Sequence, residues 1–163
     1  ILVVQTNLAN SYNALGRFEK AVSMERDIYS GRLKLNGNDG YQTLVAANNY
    51  AASLKNLSHF GETKSLLRKV MPVARRVLGE TSDITLKLRK IYAEALYKDG
   101  CAALHDLREA VTTLEETERI ARRVFGGAHP TTLGIEKGFR KSRAALRKML
   151  RSLRAREAPP TSA

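Results

Sequence analysis

The chain has 163 residues, of which 43% are hydrophobic and 27% are charged, with four prolines and no tryptophan. This composition is typical of one folded helical domain and excludes a disordered or fibrous chain. The net charge of +12 favours an anionic partner, which can be an acidic protein segment, nucleic acid or an anionic membrane surface.

Internal repeats organise most of the chain. Residues 7–12 align with residues 49–54 and then with residues 91–96, at two successive steps of 42 residues. Residues 74–79 recur as residues 121–126 at a longer step, so the third unit has about five extra residues, placed around Asp99 to Asp106. A regular step of this length is the sequence signature of a repeat architecture.

Each unit is predicted to be a pair of helices. In the second unit, apolar residues fall at steps of three and four along residues 44–54 and again along residues 60–77, which places them on one helical face. Ser58 falls in the turn between the two helices, and Gly79 follows the second helix, where glycine suits a left-handed cap. Pro72 lies inside that second helix and is expected to kink it.

A single hairpin cannot bury both of its faces, so neighbouring units are expected to stack. The predicted fold is all-α, a right-handed superhelical stack of three helix hairpins and a C-terminal capping helix, with a concave groove. The predicted boundaries are one repeat domain over residues 1–155, with repeats at about 1–40, 41–82 and 83–130, a capping helix at 131–155, and a disordered tail at 156–163.

The repeats resemble the tetratricopeptide repeat, in the 42-residue form found in kinesin light chains. The resemblance is carried by Thr43-Leu44 followed by Asn48-Asn49-Tyr50-Ala51, and by residues 124–133, which read Val-Phe-Gly-Gly-Ala-His-Pro-Thr-Thr-Leu. It covers roughly residues 1–135. It implies a scaffold that binds other proteins, in which the first helix of each unit lines the concave face.

Mapping the family's groove positions onto this sequence predicts a peptide-binding site. The predicted groove residues are Thr6, Asn10, Asn13, Asn48, Lys55, Asn56, Lys87, Lys90, Tyr97, Lys98, Lys137 and Lys141. The groove is then rich in asparagine at one end and in lysine at the other, with Glu94 as the one acid among the mapped positions. Asparagine amides can hydrogen-bond a peptide backbone, and lysines can hold carboxylates, so the expected ligand is an acidic peptide segment or a terminal carboxylate. The alternative is that these residues form solvated helix faces without a ligand.

The last helix has a strongly basic character. Residues 131–163 hold nine basic and two acidic side chains. A polar terminal helix is what a repeat stack needs as a cap. The alternative function is binding of nucleic acid or an anionic membrane surface through residues 137–154, a design that calmodulin targets also share.

No catalytic or metal-binding motif is present in the sequence. It has no phosphate-binding loop and no metalloprotease or hydrolase signature, and His59, His105 and His129 are scattered. Cys101 is alone and lacks the spacing of a zinc site. The chain is therefore predicted to be a cytoplasmic binding protein and not an enzyme, with no metal, no cofactor and no small-molecule substrate. A buried His59 or His105 beside a carboxylate would favour an enzyme instead.

Overall fold

The computed structural model describes residues 2–157, with the side chains of residues 4–156. The described part of the chain folds into α-helices joined by connections of three to five residues, without strands. The helices are α1 (Leu2–Ala14), α2 (Phe18–Asn36), α3 (Tyr41–Asn56), α4 (Phe60–Leu78), α5 (Asp83–Lys98), α6 (Leu104–Phe125) and α7 (Pro130–Glu157).

Helices adjacent along the chain pack against one another, and the odd-numbered helices also contact each other, α3 with α5 and α5 with α7. Asn13 links α1 to α3 because its side-chain amide donates a hydrogen bond to the Ser53 hydroxyl at 2.8 Å. We call the surface built by α1, α3, α5 and α7 the inner face, and we call α2, α4 and α6 the outer helices. The predicted all-α stack of helix hairpins is confirmed.

Small residues allow the helices to approach closely. Ala9, Ala51 and Ala93 occupy the same repeat position on α1, α3 and α5, and all three are completely buried. The bulkier Leu54 and Leu96 are buried nearby on the same helices. This alternation of small and large side chains packs the core without large voids.

One core position differs between the three outer helices. Leu67 on α4 and Leu114 on α6 are completely buried, and Glu25 occupies the equivalent position on α2, also completely buried. Neither carboxylate oxygen of Glu25 has a hydrogen-bond partner within the described chain. Burial raises the pKa of Glu25 from its ordinary value of 4.5 to about 7, because an apolar surrounding disfavours the charged form.

The threonine near the start of each inner helix ties its unit to the preceding outer helix. The Thr43 hydroxyl donates to the backbone carbonyl of Arg32 at 3.1 Å, and the Thr85 hydroxyl donates to that of Ala74 at 3.5 Å. Thr132 lies at the equivalent position near the start of α7 and is buried, but its hydroxyl has no partner within the described chain. The Thr-Leu motif is thus a link between units in two of its three copies.

The turns follow the predicted pattern. Gly79 ends α4 with the expected positive φ of +83°, but its ψ of 166° lies outside the αL region of a left-handed cap; its N–H donates to the Arg75 carbonyl at 3.1 Å. Ser58 adopts a φ of +61° between α3 and α4, at the position where Gly16 has +71° between α1 and α2. A side chain in this left-handed region costs about 1 kcal/mol, so Ser58 is a strained residue.

The insertion in the third unit is divided between a loop and a helix. The connection from α5 to α6 spans residues 99–103, compared with residues 57–59 in the second unit, and α6 has 22 residues where α4 has 19. Pro72 lies inside α4, which runs as one helix from Phe60 to Leu78, and the kink at Pro72 stays a prediction. Helix α7 extends to Glu157, and the remainder of the predicted tail, residues 158–163, lies outside the described residues.

Candidate functional site

Three of the predicted groove lysines converge on one buried carboxylate. Glu94 lies on α5, and only 9% of its side chain is exposed. The Lys55 ammonium, from α3, lies 2.8 Å from Oε2 of Glu94, and the Lys98 ammonium lies 3.6 Å from the same oxygen. The Lys90 ammonium lies 3.7 Å from Oε1. We call Lys55, Lys90, Lys98 and Glu94 the lysine cluster.

The lysine cluster keeps an excess of positive charge. Burial alone would raise the pKa of Glu94, but the positive charges of Lys55, Lys90 and Lys98 outweigh it and hold that pKa below its ordinary value. Glu94 is therefore ionised at neutral pH and balances one of the three lysines. Burial lowers the pKa of Lys98, and repulsion from Lys55 and Lys141 acts in the same direction.

Lys137 and Lys141 continue the positive surface onto α7. They lie one helical turn apart, both are exposed, and neither forms an ion pair within residues 4–156. Their spacing places them on the same side of α7. The lysine end of the inner face therefore presents five lysines around a single buried acid.

Two glycines let α7 approach the lysine cluster. A Cβ at Gly134 would lie 3.2 Å from the Lys90 ammonium, and a Cβ at Gly138 would lie 3.5 Å from a Leu114 methyl group and 3.9 Å from Oε1 of Glu94. Glycine inside a helix destabilises it by about 1 kcal/mol relative to alanine. The close packing of α7 against α5 and α6 offsets this loss of helix stability. This pair was not predicted from the sequence, although glycines four residues apart inside a helical pattern were a visible signal.

Lys87 and Tyr97 do not join the lysine cluster. The Lys87 ammonium pairs with the Asp83 carboxylate at 2.6 Å, and Asp83 also accepts a hydrogen bond from the Thr131 hydroxyl at 2.7 Å. Tyr97 is half-buried against the main hydrophobic core. Burial, together with the negative charge of Glu94, raises the pKa of Tyr97, so its hydroxyl stays protonated.

The asparagine end of the inner face is only partly available to a ligand. The Asn13 amide nitrogen is already used by Ser53, and that of Asn48 donates to Asn49 at 3.3 Å. The side-chain carbonyl oxygens of Asn13 and Asn48 are buried without a partner in the described chain. Asn10 and Asn56 are exposed, whereas Thr6 is half-buried.

Neither His59 nor His105 is buried beside a carboxylate, which was the arrangement that would favour an enzyme. His59 and His105 are exposed, with Nδ1 of His59 3.2 Å from Glu62 and Nε2 of His105 3.2 Å from Asp106. Cys101 is also exposed. In the part of the chain that the structure describes, no group of three potential ligands is placed to hold a metal ion.

Helix α7 carries a second basic surface along its other flank. Arg147 and Arg154 are exposed and form no ion pair among residues 4–156. The Arg143 guanidinium lies 5.5 Å from the centre of the Phe139 ring, a cation–π distance. None of the helices in residues 2–157 is long and apolar enough to cross a membrane.

Comparison with known proteins agrees with the repeat architecture. The tetratricopeptide repeat family model matches residues 1–40 and 43–83. The structure is similar to that of a candidate kinesin light chain of Podosopora anserina with nearly identical TPR-like repeats, with a TM-score of 0.77 and 19% identity over 98% of this chain and 77% of that one. It is also similar to BtubC (BKLC) from P. vanneervenii, with a TM-score of 0.66 and 18% identity over 99% of this chain and 68% of that one.

A search of the curated proteins finds no match to this chain. At these identities the solved structures establish a shared fold, while the family model identifies the repeats by sequence.

Proposed function

Because the chain belongs to the tetratricopeptide repeat family, in its kinesin-light-chain-like form, we propose that its inner face docks acidic peptide segments of other proteins. Repeats of this family indicate a protein–protein interaction scaffold. The proposal adds the chemistry of the ligand and the residues that bind it. The proposed site comprises the groove residues predicted from the sequence, with the lysine cluster and α7 at one end and the asparagines at the other.

The lysine cluster is the observation that carries this proposal. Glu94 holds Lys55, Lys90 and Lys98 within 3.7 Å of one carboxylate, so their positions are set before any ligand arrives. Preorganised charges reduce the ordering cost of binding. A ligand carboxylate can therefore pair with Lys90, Lys98, Lys137 or Lys141 without displacing Glu94.

The asparagine end supports an extended peptide over a compact anion. Asn10 and Asn56 are exposed, and their amides can donate to and accept from a peptide backbone. Exposed ion pairs contribute about 0–1 kcal/mol each, so we expect micromolar affinity. The proposed role involves binding without catalysis, since neither His59 nor His105 is buried beside a carboxylate.

Fluorescence anisotropy with a labelled peptide rich in Asp and Glu tests the proposal, with the Asn and Gln version of the same peptide as the ligand control. Lys137→Glu combined with Lys141→Glu should weaken binding of the acidic peptide by about tenfold or more, because two attractive charges become repulsive. Both residues are exposed, so circular dichroism should show unchanged helicity.

A matched variant separates this site from a general effect of net charge. Arg147→Glu with Arg154→Glu changes the charge by the same amount on the same helix but on its other flank, and should alter acidic-peptide binding less than about twofold. Equal losses of peptide affinity in the two variants would show that the interaction is nonspecific charge attraction. Undiminished binding by the folded Lys137→Glu, Lys141→Glu variant would rule the site out.

The second candidate function is binding of nucleic acid or an anionic membrane surface through α7. It is favoured by the unpaired, exposed Arg147 and Arg154 on the flank of α7 away from the lysine cluster. A labelled RNA oligonucleotide and vesicles containing phosphatidylserine are the probes. Here the Arg147→Glu, Arg154→Glu variant should lose binding, and the affinity for RNA should fall steeply with salt.

A further inference from the structure

A cleft opens between the outer helices α2 and α4, over α3, and away from the lysine cluster. Its volume is about 580 Å³, within the range of ligand-binding pockets. The lining is mainly apolar and includes Tyr29, Leu33, Ala47, Tyr50 and Leu66. The Tyr29 and Tyr50 rings stack in the cleft, with centres 6.1 Å apart and planes at 26°.

The equivalent space in the next unit, between α4 and α6 over α5, is smaller and has more charged residues in its lining. Its volume is about 260 Å³, and its lining includes Arg89 and Tyr92. The Arg89 guanidinium pairs with Glu116 at 2.8 Å and with Glu80 at 3.4 Å, and only 13% of its side chain is exposed. The Tyr92 hydroxyl donates to the Glu109 carboxylate at 2.9 Å. Ion-paired and hydrogen-bonded side chains therefore narrow this second space.

The repeat register explains the difference between the two spaces. Arg89 aligns with Ala47 at the 42-residue step, and Glu116 aligns with Lys69 at the 47-residue step. The first cleft thus has alanine where the second space has Arg89, and lysine where the second space has the Glu116 that pairs with Arg89. Ala47 is completely buried in the floor of the cleft, which leaves the apolar walls accessible from outside.

The α4 rim of the cleft carries two opposite charges. Glu62 and Lys69 both line it and lie seven residues apart, which is two helical turns or about 10 Å. The Glu62 side chain is 65% exposed and contacts His59 at 3.2 Å. Lys69 is exposed and forms no ion pair within the described side chains.

We propose that this cleft is a second docking site, which binds an amphipathic helix of a partner protein. The partner helix inserts large apolar side chains between Tyr50 and Leu66. It places a basic residue against Glu62 and an acidic residue, two turns away, against Lys69. A helix fits better than an extended segment because its backbone groups are already paired, whereas an extended backbone would lose hydrogen bonds in an apolar cleft.

The site is independent of acidic-peptide docking, since it lies on the outer helices and shares no residue with the lysine cluster. Recognition of this kind places apolar anchors at helical spacing in a groove and leaves the flanking charges to set specificity. Charge complementarity therefore distinguishes the expected partner helix from any other apolar helix.

Synthetic alanine-based helices of about 18 residues provide the probe, each with leucines at i, i+4 and i+7 and two flanking charged residues seven positions apart. The flanking residues are Lys and Glu in one peptide, Lys and Lys in a second, and Glu and Glu in a third. We expect the wild-type chain to prefer the Lys and Glu peptide. Lys69→Glu should reverse the preference toward the Lys and Lys peptide, by about tenfold in the ratio of affinities.

A second variant fills the cleft. Ala47→Arg with Lys69→Glu recreates the pairing of Arg89 with Glu116, and should reduce binding of all three helices by about tenfold or more. The same variant should bind the acidic peptide as the wild type does, so failure at one site is distinguishable from failure at the other. If Ala47→Arg prevents folding, the change of peptide preference in the Lys69→Glu variant still tests the proposed site.

Besides an unchanged peptide preference in the Lys69→Glu variant, three results would overturn the proposal. One is that the wild-type chain binds none of the helical peptides, and another is that the folded Ala47→Arg, Lys69→Glu variant binds them undiminished. The third comes from analytical ultracentrifugation, if the wild-type chain dimerises and the filled variant is monomeric. In that case a second copy of the chain occupies the cleft.

Discussion

Glu94 on α5 accepts a hydrogen bond from the Lys55 ammonium on α3, with 2.8 Å between Nζ and Oε2. The bond joins two neighbouring units and places a negative charge beneath the lysines of the inner face. Lys90 and Lys98 approach the same carboxylate less closely, at 3.7 and 3.6 Å, and remain available to a ligand. One residue therefore both stabilises the stack and positions the proposed binding site.

Removal of the Glu94 charge should destabilise the fold. Glu94→Gln leaves the largely buried Lys55 without its ion-pair partner, so the free energy of unfolding at pH 7 should fall by about 1–3 kcal/mol. The folded-state pKa of Glu94 is below its ordinary value of 4.5, so its contribution is present above that pH and is lost as the pH falls through the folded-state value. Urea unfolding at pH 7 and at pH 3 measures both effects.

The control for Glu94 is Glu115→Gln, which removes an exposed carboxylate of α6 that has no ion pair in the described residues. It should change stability by less than about 0.5 kcal/mol. A Glu94→Gln variant with wild-type stability at pH 7 would show that the ion pair does not hold the units together.

Replacement of Glu25 by the leucine found at the same position in α4 and α6 should stabilise the protein. The folded-state pKa of about 7 exceeds the ordinary value of 4.5, so the native state loses stability as the pH rises from about 4.5 to about 7. Glu25→Leu should raise the free energy of unfolding by about 3 kcal/mol at pH 8 and by less at pH 4. Chemical unfolding at the two pH values gives this difference.

Glu25→Gln separates charge from polarity at the same position. It removes the ionisable group but keeps a buried polar side chain, so it should abolish the loss of stability that Glu25 causes between about pH 4.5 and 7 while recovering less stability than leucine. A stability gain for Glu25→Leu that is the same at pH 4 and pH 8 would contradict a raised pKa.

Loss of the hydroxyl should have opposite effects on stability at the equivalent positions Thr43 and Thr132. Thr43→Val removes the hydrogen bond to the Arg32 carbonyl and should cost about 1 kcal/mol. Thr132→Val removes a buried hydroxyl that has no partner in the described chain, so it should be neutral or stabilising by up to about 1 kcal/mol. Thermal unfolding of the two variants tests the contrast, and equal losses would show that Thr132 has a partner after all.

Ser58 offers a backbone test. Ser58→Gly should raise the free energy of unfolding by about 0.5–1 kcal/mol, because glycine adopts a φ of +61° without steric cost. The reverse change, Gly16→Ser, occupies the same repeat position at +71° and should destabilise by a similar amount. Differential scanning calorimetry of both variants gives the comparison, and a destabilised Ser58→Gly variant would point to a role for the hydroxyl.

Local features were predictable from the sequence because they depend on nearby residues. The spacing of apolar residues predicted the helix pairs, and the position of Gly79 after an apolar helix predicted a positive φ there, although its ψ of 166° differs from that of a left-handed cap. The five-residue insertion was predicted in one region, but the structure divides it between the connection after α5 and the length of α6. The ends of α4 and α6, Leu78 and Phe125, align at the 47-residue step, so the three extra helical residues lie at the start of α6. There the Asp106 carboxylate accepts a hydrogen bond from the Ala103 N–H.

The proposed binding residues show the same division. The repeat register brought Lys90, Lys98 and Lys141 into one predicted groove, and their use by a ligand remains a proposal. The pairing of Lys87 with Asp83 was visible as a four-residue spacing, whereas the contact of Lys55 with Glu94 joins residues 39 positions apart. Only the packing distance between α3 and α5 makes that contact possible.

The sequence by itself determined the repeat, the helix pairs and the excess of positive charge, because periodicity and composition are properties of the chain alone. Tertiary structure decided which charges meet and which spaces stay open. Ala47 and Arg89 differ visibly in the sequence, but only the structure shows that the gap between the outer helices is larger above the smaller residue. Ion pairs and clefts depend on distances between helices, and those distances are set by side-chain packing throughout the stack.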